Sequence, residues 1–404
     1  MKYYFKAQTA GGTLSEGTRE ASDKSALASL LRNDGLSLVF AREEKGLKIF
    51  DPTYLNHIFV RISLHEKIIF SKNLAAMLKA GLSLARALSV LERQTENFRL
   101  REITRSLSDD ISKGLPFSDG LKKFPRIFPS LFVAMVKAGE ESGGLPGALL
   151  SIAAQLEKNY VLTRKIRGAL IYPAIILIAI IGIGALMLIY VVPSLTQTFA
   201  DMRVELPAST QFVINLSNLL VEHTLSTVLV TAGVIMAMIF FGRTPRGKGL
   251  FHRAFLKIPL VGNLVREVNS ARTARTLSSL LFSGVDIRHS LSITGEVLQN
   301  VHFKKALLEA EAGIEKGFTL SSILKNHPEL YPPMVGEMIE VGEESGKLHD
   351  MLVNIADFYE EEVDNATRDM STVIEPFLMI VIGAAVGFFA VSMITPMYSV
   401  LNTI

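Results

Sequence analysis

Gly139-Glu140-Glu141-Ser142-Gly143 returns, residue for residue, as Gly342-Glu343-Glu344-Ser345-Gly346, 203 positions further on. The same offset links Gly81 with Gly284, Ile111-x-Lys113-Gly114 with Ile314-x-Lys316-Gly317, and Pro125 and Pro129 with Pro328 and Pro332. It still holds at Leu145 and Leu348, Pro173 and Pro376, and Pro193 and Pro396. A register kept without a gap over more than a hundred residues is a tandem duplication. Two copies of this length mean paired domains and not a solenoid.

What is duplicated follows from the segregation of charge. The 404 residues are 49% hydrophobic and 20% charged, yet Ala169 to Val192 holds 24 residues without a charge, Thr224 to Gly242 holds 19, and none lies beyond Pro376. About 20 apolar residues span a bilayer core, so each run qualifies as a membrane helix. The start, Met1 to Lys6, is charged and no apolar run follows it, which argues against a cleaved signal. The absence of cysteine excludes disulfides, thiolate metal sites and thiol chemistry. A net charge of +3 gives no argument for nucleic acid, and the basic residues flank the apolar runs, where they meet membrane lipid.

Those flanks set the orientation. Arg164, Lys165 and Arg167 precede the first run and Arg243, Arg246 and Lys248 follow the second, whereas Pro193 to His223 contains only Arg203 and His223. The positive-inside rule puts that loop outside and both copies in the cytoplasm. The reading is an all-α membrane protein with a small N-terminal α/β module. The module covers 1–50, and the first cytoplasmic helical bundle 63–168. Membrane helices follow at 169–192 and 224–242, joined by a periplasmic loop at 193–223. The second bundle takes 266–372 and the third membrane helix 373–400, with a periplasmic C-terminus. In the module, alternation around Gly11-Gly12 predicts two strands, Asp23 or Ser22 caps a helix ended by Gly35, and Leu36 to Ala41 returns as a strand. A polar link runs from Arg42 to Pro52. In the first bundle Ser63-x-x-Glu66 has the capping-box spacing, and helices are expected over Leu84–Gln94, Leu100–Lys113, Pro129–Ala138 and Gly147–Arg167. The second copy repeats them over Arg275–Ser283, Ile287–Leu298, Phe303–Lys316, Pro333–Val341 and Leu348–Thr372.

No catalytic constellation emerges, and neither a cofactor nor a metal is implied. Gly242 to Gly249 follows the phosphate-loop pattern until Gly249 stands where Ser or Thr should reach magnesium, so it reads as a basic loop on the inner leaflet. His57, His65, His289, His302, His327 and His349 show no ligand spacing. Glu140, Glu141, Glu343 and Glu344 lie in a turn between helices. Three uses stay open for them: solvated acids, docking points for a partner, or a cation site short of the six to eight oxygens calcium prefers. Pro173 and Pro376 predict a kink or a fresh helix start. Glu375 is the one acid abutting a span, and contact with a subunit or neighbouring helix stays open beside a tolerated interfacial residue, while Gly383-x-x-x-Gly387 has the spacing of close helix packing.

Two helical copies with Gly-Glu-x-Ser-Gly, the Tyr172-Pro173 and Glu375-Pro376 entries to membrane helices, and an N-terminal Tyr4 and Gly12 resemble the inner-membrane platform proteins of type II secretion and type IV pilus systems. The resemblance covers essentially the whole chain. It implies a non-enzymatic protein that couples a cytoplasmic assembly ATPase to extraction and polymerisation of pilin or pseudopilin subunits. It also implies other inner-membrane assembly components as partners, and a homo-oligomer. The rival class, a transporter or channel, requires ionisable residues within the spans, and only Glu375 comes near.

Overall fold

The computed structural model describes residues 2–9, 14–43, 61–201, 206–259 and 261–401. Backbone contacts divide the chain into two compact units, Met1–Ile62 with Thr95–Ile103, and Ser63–Gln94 with Thr104–Ile404. Gly12, His57, Arg203 and most of the link from Arg42 to Pro52 lie outside the described residues.

The N-terminal module has strands β1 (Lys2–Thr9), β2 (Leu14–Glu20) and β3 (Leu36–Glu43), with helix α1 (Lys24–Asn33) between the last two. Both neighbours pair antiparallel with β1, in the order β2-β1-β3. Strand alternation puts Tyr3, Phe5 and Ala7 on one face, and they are buried with Leu27 and Leu31 of α1. Asp23 caps that helix by accepting from the Ala26 N–H at 2.7 Å.

The first copy runs through α2 (Leu64–Lys79), α3 (Leu84–Gln94), α4 (Phe98–Ser112), α5 (Phe117–Lys122), α6 (Ser130–Glu141) and α7 (Leu145–Leu186). At its start the expected capping box forms: Ser63 N–H donates to Glu66 at 2.6 Å, and Glu66 N–H to the Ser63 hydroxyl at 3.2 Å. A single π turn, Met187–Val191, carries α7 into α8 (Val192–Asp201). Then come α9 (Ala208–Val221), α10 (Thr224–Arg243) and α11 (Pro245–Lys257). The second copy comprises α12 (Val261–Phe282), α13 (Ile287–Val297), α14 (Val301–Glu315), α15 (Leu320–Lys325), α16 (Pro333–Ser345) and α17 (Leu348–Leu401).

The duplication is visible in the backbone. Gly81 and Gly284 have φ of 88° and 85°, Gly114 and Gly317 83° and 85°, Gly143 and Gly346 72° and 68°. Each pair ends a helix in the left-handed region, where a side chain would be strained. Leu74, Leu88, Phe117, Leu121, Met135 and Leu149 are fully buried in the first copy, and Leu277, Leu291, Phe303, Leu307, Leu352 and Ile355 in the second.

Three expectations are corrected. The stretch 193–223 is largely helical: Val213 and Ile214 pack with Val192, Phe199 and Met393, an apolar face that a solvated loop would not need. The acidic pentapeptide does not merely join helices, because α6 and α16 continue through both glutamates. A fresh start at Pro376 is not taken either, since α17 is one helix and contains Pro376, as α7 contains Pro173. Among the described residues three helices are long and apolar enough to cross a membrane, within Leu145–Phe199, Thr224–Arg243 and Leu348–Pro396. Their apolar side chains, such as Ile178, Leu225 and Ile380, face outward, as lipid contact requires.

Candidate functional site

The short helix α5 begins after Pro116, which has no side chain to cap its free N–H groups. Glu140 supplies the acceptors from α6. One carboxylate oxygen accepts from Phe117 N–H at 2.6 Å, the other from Ser118 N–H at 3.1 Å and the Ser118 hydroxyl at 2.8 Å. The second copy reproduces the clamp: Glu343 accepts from Leu320 N–H at 2.7 Å, Ser321 N–H at 3.2 Å and the Ser321 hydroxyl. The neighbouring glycine is explained by closeness, because a Cβ on Gly139 would lie 2.4 Å from the Ala148 Cβ and one on Gly342 3.0 Å from the Leu348 Cα. The four acids of the repeated motif therefore separate. Glu140 and Glu343 work inside their bundles, whereas Glu141 and Glu344 are exposed. No cluster of acids and histidines among the described residues could hold a metal ion.

The copies meet where α7, α12 and α17 leave the bundles. Gln155 of α7 donates to the Thr276 hydroxyl at 3.2 Å and accepts from the Ser279 hydroxyl at 3.0 Å. Arg275 of α12 forks onto Glu360 of α17, at 2.8 Å from Nε and 3.0 Å from a terminal nitrogen, and also pairs with Asp357. Lys158 of the first copy reaches the same two acids, at 2.9 Å from Glu360 and 3.3 Å from Asp357. Two turns on, Lys165 pairs with Asp364 at 2.8 Å. Burial opposes the charges of Arg275, Lys158 and Asp357, but their partners outweigh it. The two cations are held above their ordinary pKa, and the Asp357 carboxyl below. Sequence reasoning missed this network. The signal available was the run of basic residues before one span and acidic residues before the other.

At the far ends of the spans, each copy has a proline that frees a carbonyl, and α9 supplies a hydroxyl to each. Pro396 offers no N–H to Ser392, whose carbonyl accepts from Thr210. In the π turn Val192 N–H bonds Met187, and Pro193 has none to give Leu188, whose carbonyl accepts from Ser217 at 2.5 Å. Thr210 and Ser217 are seven residues apart, two helical turns, so one face of α9 ties both membrane helices. Glu375 has an exposed side chain. Among the described residues, the adjoining turns of α17 itself aside, nothing lies within 4 Å of a Cβ built on Gly383 or Gly387. Of the histidines, His327 sits 2.9 Å from Glu309, and His349 packs against Phe282 with its Nδ1 3.1 Å from the Ser278 carbonyl.

The comparison with known families finds the same duplication. The family described as "Type II secretion system (T2SS), protein F" matches residues 70–193 and again 273–396, more than half of the chain and in the register of the pentapeptide. The chain belongs to the type II secretion protein F family. Relatives come from both kinds of machine that the family serves. The chain is 39% identical to a type IV pilus assembly protein PilC of Thermus thermophilus, over 100% of this chain and 98% of the relative. It is 32% identical to the PilC of Myxococcus xanthus, over 100% and 96%. With a type II secretion system protein F of Aeromonas hydrophila it shares 31%, over 85% and 88%. As a family member with three apolar spans, it is a multi-pass inner-membrane protein of a secretion or pilus machine. Both family matches begin in the first long helix of a bundle and end at Pro193 and Pro396.

Proposed function

We propose that the chain is a non-enzymatic platform that couples a cytoplasmic assembly ATPase to the extraction and polymerisation of pilin or pseudopilin subunits, working as a homo-oligomer with other inner-membrane components. The observation that carries this is continuity. Helices α7 and α17 run from the bundle cores into the membrane without a break, and Lys158, Arg275, Asp357 and Glu360 lock them together at the root. Movement imposed on a bundle is thus delivered to the layer that holds the subunits. Glu141, Glu344 and Glu375, whose side chains face outward, are the acids assigned to partner contact.

The coupling is tested by breaking α7 between bundle and membrane with Arg167→Gly, Gly168→Pro and Ala169→Gly together. The variant should still co-purify with the ATPase and should lose fibre assembly or secretion. Full assembly at normal abundance would refute coupling through α7. Orientation is tested separately, with the bundles inside and 193–223 outside. Ser321 is buried in the clamp, so the exposed neighbours Ser322→Cys and Ala208→Cys are the sites to use in this cysteine-free chain. On intact cells an impermeant maleimide should label the Ala208→Cys protein and spare Ser322→Cys, and the reverse would invert the topology.

A further inference from the structure

Helix α11 begins two residues after the span α10 ends and is held in a tight corner against it. Thr244 accepts from Gly247 N–H at 3.0 Å and donates to the Phe241 carbonyl at 2.7 Å. A Cβ on Gly247 would fall 1.9 Å from that carbonyl oxygen, so only glycine permits the corner. Phe251 then meets Phe241 edge-on, with ring centres 6.2 Å apart.

At 100° per residue the helix has three sectors. Gly249, His252 and Leu256 form one, and it docks on the second bundle. Val301 N–H donates to His252 at 3.2 Å, His302 Nε2 lies 3.1 Å from the Gly249 carbonyl, and Leu256 packs on the bundle core. Roughly opposite lies an apolar sector about 140° wide, made of Leu250, Ala254, Gly247, Phe251 and Phe255. This is the side that touches α10. Leu250 is nonetheless 65% exposed and Phe255 47%. Arg246, Arg253 and Lys257 fill the third sector along one edge of the apolar sector, and Lys248 lies alone on its other edge, all exposed. None of the four forms an ion pair within 4 Å among the described residues, although Arg253 borders a cleft shared with Glu309 and Glu329 of the second bundle. The chain itself contains no Asp or Glu from His223 to Arg266.

An apolar sector with cations on both edges, fixed at the end of a membrane span and backed by a soluble bundle, matches an interfacial amphipathic helix. We propose that α11 lies on the membrane surface with Leu250, Ala254 and Phe255 at the acyl boundary and its four flanking cations on the phosphates of anionic phospholipids. The second bundle is thereby seated on the bilayer through the back of α11. This uses α10 as a span and does not depend on which side its ends face.

The test reconstitutes the full chain, carrying Ala254→Cys labelled with a bimane fluorophore, into bilayers of phosphatidylcholine and phosphatidylglycerol. One lipid or the other carries brominated acyl chains. Quenching should occur and should be stronger with brominated phosphatidylglycerol at equal mole fraction. Each cation near an anionic surface contributes about fivefold to the local enrichment, so Arg246→Gln, Lys248→Gln, Arg253→Gln and Lys257→Gln together should erase the preference. A label at Val230→Cys, within α10, reports the span independently. Quenching at position 230 with none at 254 would overturn the proposal while leaving the span intact, and would leave this face to an acidic protein segment. Equal quenching by both lipids at 254 would overturn the anionic recognition.

Discussion

Where the first copy packs Phe70 against Phe128, with ring centres 6.0 Å apart, the second places Thr273 beside Tyr331, hydroxyl to hydroxyl at 3.2 Å. An apolar contact has become a buried hydrogen bond at equivalent positions, and burial pushes the Tyr331 phenol well above its usual pKa. A second exchange concerns volume. Asp110 and Gly120 of the first copy correspond to Gly313 and Ile323, and a Cβ on Gly313 would meet the Ile323 side chain at 2.4 Å. The large residue has moved from one helix to the other, and the space between them admits only one. Against this divergence stand the paired left-handed glycines and the glutamate clamps, which are the same in both copies. Backbone requirements tolerate few residue types, whereas a core tolerates any set that fills it and satisfies its polar atoms.

If the clamps are equivalent, removing them should cost the same in either copy. Glu140→Ala leaves two backbone N–H groups and a hydroxyl without their acceptor, Glu343→Ala leaves two backbone N–H groups so and returns the Ser321 hydroxyl to Thr319, and each should destabilise by about 2–4 kcal/mol. Glu141→Ala and Glu344→Ala, at exposed positions, should stay within about 0.5 kcal/mol. Thermal unfolding of the detergent-solubilised variants measures both. Amide exchange should accelerate at Phe117 and Ser118 in one case and at Leu320 and Ser321 in the other. A large loss on Glu141→Ala with none on Glu140→Ala would reverse the assignment.

The sequence made the helical duplication and the spans legible because both depend on period and composition. The helices α3, over Leu84–Gln94, and α13, from Ile287, match expectation closely, since Gly81 and Gly284 precede them, Asp286 caps the second, and Asn97 and Asn300 follow their ends. The six-residue helices α5 and α15 were not expected, being too short to show a period. The clamp escaped too: it joins Glu140 to Ser118, 22 residues away, and nothing local distinguishes Glu140 from Glu141. Helix α9 looked like a loop because its apolar face pairs with membrane helices distant in sequence. The basic segment after the second span was visible as composition, but its division into packed, apolar and cationic sectors needed the direction in which α10 and the second bundle lie.

The smallest expected difference, and the most informative about divergence, lies in the ion pairs at equivalent positions. Lys72 and Glu157 of the first copy correspond to Arg275 and Glu360 of the second. The first pair closes at 2.7 Å with side chains 47% and 52% exposed, while the second closes at 2.8 Å with 15% and 16%. An exposed lysine pair contributes about 0–1 kcal/mol, because water screens it and ordering two long side chains offsets the attraction. A forked, largely desolvated guanidinium pair is stronger, and its coupling should reach about 1.5–3 kcal/mol. Double-mutant cycles with Lys72→Met and Glu157→Gln, and with Arg275→Met and Glu360→Gln, compare the two directly. Arg275→Lys should bring the second pair down toward the first, since an ammonium cannot fork onto Glu360 while holding Asp357. Acid sharpens the contrast. The folded pKa of Asp357 is depressed, so its contribution is complete above the unfolded carboxylate value of about 4 and is lost as pH falls through the folded value. The effect of Asp357→Asn should therefore be present at neutral pH and fade on acidification below that point. Equal coupling energies in the two copies would mean that burial and the guanidinium fork add nothing to the pair of the second copy.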